Sequence, residues 1–183
     1  MDVVYSILTG TLIYSTAIII ASLGGLFSER GGIVNIALEG LMMFGGFAGG
    51  AAIIWFEPAF AEGSVIAPLL AIVVGALVGG LVSLIHAYLS VNIGADQVIS
   101  GTAINLLAAG VTVYLSQIIF GSQRTPTYKT GFTKETIPLL SKIPVIGDIF
   151  FTKIYITVYL AFILVIVSWY VINKTKFGLR LRA

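Results

Sequence analysis

The chain has 183 residues, 58% of them hydrophobic and only 10% charged, with a mean hydropathy of +1.05. Soluble domains carry about 25% charged residues, so a water-facing surface cannot be built from this composition. The net charge of +2 offers no basic face for nucleic acid, the lack of cysteine removes disulfides and thiolate ligands, and a single histidine removes paired-histidine zinc motifs.

The charges leave long gaps, and a bilayer core is crossed by about 20 apolar residues in helical form. Reading the gaps predicts one all-α, polytopic membrane bundle over residues 1–183, with spans at Val3–Phe27, Leu38–Phe56, Val65–Leu89, Val98–Phe120 and Ile154–Ile172. The apolar runs are continuous, whereas barrel strands alternate in blocks of about ten residues. The first span follows no basic residue, exceeds the about 7–15 apolar residues of a signal peptide and lacks an A-x-A site, so it is expected to be retained.

Between the first two spans lies a polar, glycine-containing stretch, Ser28 to Gly40. Asn35 and Glu39 are four residues apart there, which places them on one face if the segment is helical. A carboxylate near membrane depth is expected to face the bundle interior or a cavity, paired with Arg30 or Asn35. Glu39 is either a helix-entry carboxylate complementing the dipole or a pathway residue. The second span carries Gly45, Gly46, Gly49 and Gly50, two overlapping GxxxG registers, and the third carries Gly75 and Gly79. These let backbones approach closely, as static packing or as a sliding interface. His86, near the end of the third span, is expected to be a satisfied or interfacial histidine.

A second polar stretch, Ser90 to Gly101, opens the fourth span with Asp96 and Gln97, where an acidic residue favours a helix N-terminus. Asn105, Thr112 and Gln117 lie deeper, as a polar stripe or as interhelical hydrogen bonds. The loop 121–153 holds Pro126, Pro138 and Pro144, which exclude a spanning helix and suit a short segment on the membrane face. Counting basic residues leaves the two sides equal, but Lys174, Lys176, Arg180 and Arg182 crowd one span end. That density favours an external N-terminus and an internal C-terminus. No nucleophile elbow, Walker A loop or potassium-filter pattern occurs, so no catalytic, cofactor-binding or metal-ligating residue is assigned.

Residues 27–42, FSERGGIVNIALEGLM, closely resemble the hallmark segment of membrane permeases of bacterial ABC importers. The branch is the one that includes ribose-type, branched-chain amino acid and nucleoside uptake systems. Within it, SERGGIVNIALEG looks most like permeases paired with lipoproteins of the basic-membrane-protein type, whose cargo is often nucleosides. The closing TKFGLRLRA resembles the stretch that leads into the family's cytoplasmic coupling loop.

The resemblance implies a multi-pass protein of the bacterial plasma membrane, with an external loop at 121–153 and a cytoplasmic tail. It implies an ABC ATP-binding subunit, a second permease and an extracytoplasmic substrate-binding lipoprotein as partners, and no cofactor in the permease itself. Family members continue beyond this point, so the chain is expected to be the N-terminal portion of a longer permease, unable to transport alone. Asn35, Glu39, Asp96 and Asn105 are the candidates for the pathway or gate. Arg180 and Arg182 are expected beside the ATPase or anionic lipid. The alternatives are a simple-sugar or branched-chain amino acid permease, a non-transporting membrane scaffold and an ion-coupled carrier.

Overall fold

The computed structural model describes residues 2–61, 63–144 and 146–182, with the side chains of Asp2, Lys142 and Arg182 outside that description. The chain divides into two compact units, Met1–Gly31 with Phe132–Ala183, and Gly32–Gly131. Among the described residues five helices are long and apolar enough to cross a membrane, and the fold is that of an all-α, multi-pass membrane protein. Large apolar side chains such as Ile7, Tyr14, Leu81, Leu106 and Ile166 are exposed on these helices, as lipid-facing residues must be when the solvent is itself apolar.

The first unit contains α1 (Asp2–Arg30) and α6 (Ile156–Lys174), which pack together. Within this unit β1 (Lys134–Glu135), α5 (Ile146–Phe150) and β2 (Ile154–Tyr155) precede α6 in sequence. β1 and β2 pair antiparallel, Lys134 opposite Tyr155 and Glu135 opposite Ile154. This ladder takes the first two residues of the predicted fifth span into extended backbone, so α6 begins at Ile156 and runs on to Lys174. Thr175, in extended conformation, ends α6, and α7 (Lys176–Arg182) follows.

The second unit is a three-helix arrangement of α2 (Leu38–Phe56), α3 (Ile66–Ala87) and α4 (Gln97–Phe120). α2 and α3 meet where a Cβ added to Gly45 would lie 3.0 Å from the Gly75 carbonyl oxygen, and one added to Gly75 would lie 2.7 Å from the Gly45 carbonyl oxygen. Gly49 stands likewise 3.0 Å from the Ala71 carbonyl oxygen, and Gly79 makes ordinary contacts with Leu41 and Gly45. The two overlapping registers therefore separate. Gly45 and Gly49 face α3, Gly46 has open space, and Gly50 looks towards the Thr125 side chain at 3.6 Å.

α3 passes into a π-helical turn, Tyr88–Asn92, which extends it beyond the predicted Leu89 end. Gly94, at φ +70°, then turns the chain, and Asp96 caps α4 by accepting from the Val98 and Ile99 amides at 2.8 and 3.0 Å. Gly121, at φ +69°, closes α4 in the left-handed conformation with its amide bonded to the Gln117 carbonyl.

Candidate functional site

α2 starts without a cap of its own, because the residue at its N-cap position is Ala37. The orphan amide donors of that first turn must find partners elsewhere. Asn105, on α4, supplies one: its Oδ1 accepts from the Gly40 amide at 2.7 Å, while its Nδ2 donates to the Ile36 carbonyl at 2.9 Å. Gln97 adds a third tie, its Oε1 accepting from the Val34 amide at 2.8 Å. The approach is close enough that a Cβ on Gly40 would lie 2.9 Å from Asn105 Oδ1, and one on Gly101 2.9 Å from the Ile36 side chain.

The segment before α2 is thus held by α4 in non-helical conformation. Asn35 lies in it rather than on α2, so its four-residue spacing to Glu39 is not a shared helix face. Its Oδ1 is buried and lacks a hydrogen-bond partner among the described residues. Glu39 sits in the first turn of α2, exposed rather than turned inward, where a carboxylate complements the helix dipole. Asp96 stands at the N-terminus of α4 as its cap.

α2 and α4 run in the same direction from this joint, and a cleft of about 310 Å³ opens between them further along. Met42, Met43 and Phe47 of α2 line one side, Thr112 and Ser116 of α4 the other, and Gln123 and Arg124 of the following loop complete it. Thr112 donates its hydroxyl to the Ala108 carbonyl at 2.7 Å. Ser116 is 3% exposed and its Oγ has no partner among the described residues.

At the far end of α2, Glu57 fastens the loop after α4. Its Oε1 accepts from the Lys129 amide at 2.7 Å, the Thr130 amide at 2.7 Å and the Thr130 hydroxyl at 2.5 Å. These residues border a second cavity of about 600 Å³ with Phe60 and Thr127. Neither Glu57 nor Thr130 stands out in the sequence. They are 73 residues apart, and a carboxylate just past a span end reads as an ordinary boundary residue.

His86 is 3% exposed, with Nδ1 3.1 Å from Ser100 Oγ and Nε2 without a partner among the described residues, so one ring nitrogen is satisfied there and the other is not. Arg180 is exposed on α7, and the Arg182 side chain lies outside the described residues. Among the described residues no group of three His, Asp or Glu side chains is placed to hold a metal ion.

The sequence is similar to those of known transport proteins. It is 43% identical over 177 residues to the guanosine ABC transporter permease protein NupQ of Bacillus subtilis (strain 168), covering 97% of this chain and 54% of that protein. It is 46% identical over 178 residues to the nucleoside ABC transporter permease protein NupC of Lactococcus lactis subsp. cremoris (strain MG1363), covering 97% of this chain and 55% of that protein. The chain spans about half the length of these curated relatives. No solved structure matches it. The pattern of the family described as branched-chain amino acid transport system / permease component matches residues 7–183, and the chain belongs to that permease family.

Proposed function

We propose that the chain forms part of the translocation pathway of an ABC importer for nucleosides. The observation that carries this reading is its 43% and 46% identity, along 97% of its length, to permeases named for guanosine and for nucleosides. In this reading the permease does no chemistry. A partner ATPase hydrolyses ATP, a second permease completes the pathway, and an extracytoplasmic lipoprotein delivers the solute. The N-terminus and the loop 121–153 face outside, and α7 lies on the cytoplasmic side, with Arg180 and Arg182 near the ATPase or anionic lipid headgroups.

The joint between α2 and α4 then acts at the gate. Asp96 and Asn105 hold the two helix starts, while Asn35 and Glu39 offer polar groups beside them. The close contacts of Gly45, Gly49 and Gly75 bring the backbones of α2 and α3 together, and small rotations at this crossing accompany the transport cycle.

Mass spectrometry of what co-purifies with the full-length protein from its native membrane tests this. Recovery of a cassette ATPase with a second permease supports the importer. Recovery of this permease alone, reproducibly and under crosslinking, contradicts it and favours a carrier or a scaffold.

A further inference from the structure

The cleft between α2 and α4 combines three features that ordinary helix packing does not require together. One wall is apolar, made of Met42, Met43 and Phe47. The opposite wall carries Ser116, a residue 3% exposed whose hydroxyl has no partner among the described residues. The back-bonding that satisfies Thr112 one turn earlier is not made by Ser116. A hydroxyl buried without a partner is costly, and a ligand atom arriving there removes the cost. Gln123 and Arg124, which carry an amide and a guanidinium, complete the lining.

A flat heteroaromatic ring fits this division of labour. Its faces are apolar and stack on aromatic side chains, and methionines adapt to its outline. Its edge carries adjacent acceptors, which a guanidinium meets with two donors at once. A simple sugar lacks a flat ring with acceptors built into its edge, and a lipid chain has no polar edge.

We propose that this cleft is a subsite for the base of a purine nucleoside. Phe47 and the two methionines pack on the ring, Arg124 and Gln123 bond its polar edge, and the Ser116 hydroxyl bonds a further ring heteroatom. The proposal rests on the nucleoside reading above, which leaves open where along the chain the solute is held.

Ser116→Cys in the full-length permease tests it. This chain has no cysteine, so with any cysteine in the remainder replaced, thiol labelling reads one position. A small methanethiosulfonate reagent is applied to membranes open on both faces, with guanosine or ribose present, and guanosine uptake is measured in parallel. Labelling is expected to slow at least about fivefold with guanosine and not with ribose. Arg124→Gln, placed beside Ser116→Cys, is expected to raise the guanosine needed for protection about tenfold, the lower range of one bidentate base contact.

In a protein that takes up guanosine, labelling indifferent to guanosine overturns the subsite. So does equal protection by ribose, or a thiol that the reagent never reaches because lipid or the rest of the fold fills the cleft. A wild-type protein that takes up no guanosine overturns the nucleoside reading itself, and the parallel uptake measurement tells the two failures apart.

Discussion

Asn105 caps a helix it does not belong to: its Oδ1 accepts the Gly40 amide at 2.7 Å, doing for α2 what Ala37 at the N-cap position has no side chain to do. The same side chain donates to the Ile36 carbonyl at 2.9 Å, so one amide holds both the start of α2 and the segment leading to it. Replacing it by alanine leaves a part-buried donor and acceptor unmet, which costs about 1–3 kcal/mol. Asn105→Asp keeps the acceptor for Gly40 but sets a carboxylate oxygen against the Ile36 carbonyl, so it is also expected to melt below wild type. Thermal unfolding of the full-length protein in detergent measures the order, and equal melting of all three would refute the cap.

The α2–α3 crossing makes a prediction specific to register. Gly75→Ala places a Cβ 2.7 Å from the Gly45 carbonyl oxygen, an overpacking that costs about 1–3 kcal/mol. Gly46→Ala meets nothing within 4 Å and is expected to leave the melting temperature within experimental error. If the two variants melt alike, the close approach is not at Gly45 and Gly75.

Asp96 accepts from two amides of its own helix, so its removal is read first as loss of a cap. Asp96→Ala is expected to cost about 1 kcal/mol, and Asp96→Ser to recover most of it. Solute uptake per folded molecule should be closer to wild type in Asp96→Ser than in Asp96→Ala. A serine variant that is stable yet as inactive as alanine would assign the carboxylate a role beyond capping.

Glu57 gathers the Lys129 and Thr130 amides and the Thr130 hydroxyl on one oxygen. In Glu57→Ala these donors lose their acceptor. Hydrogen exchange at Lys129 and Thr130 is expected to rise by at least tenfold, while exchange within α4 stays unchanged. Unaltered protection at both amides would show that the loop is held by something else.

What was legible in the sequence follows from range. The five spans show as gaps between charges, because the bilayer excludes charge wherever it happens to fall. The α4 start shows as Asp96, because a cap and its amides are local. The ends moved where a distant partner intervened: Ile154 and Tyr155 pair with Glu135 and Lys134 across a loop of 18 intervening residues, and so leave the helix. Asn35 and Glu39 suggested one helical face, but Val34 and Ile36 are tied to Gln97 and Asn105 on α4 and hold Asn35 off the helix. Spacing could not tell Gly45 and Gly49 from Gly46 and Gly50, since both pairs obey the same period. The cleft was missed because Phe47, Ser116 and Arg124 form no pattern until α2 and α4 lie side by side.

In the importer proposed above, ATP drives nucleoside uptake by the complete protein with its partners. The most direct measurement is radiolabelled guanosine uptake in cells that lack other nucleoside transport and express the full-length permease with its neighbouring subunits. Uptake that stops on ATP depletion and persists when proton and sodium gradients are collapsed is the predicted result. No guanosine uptake, or uptake that follows the gradients and ignores ATP, would contradict it.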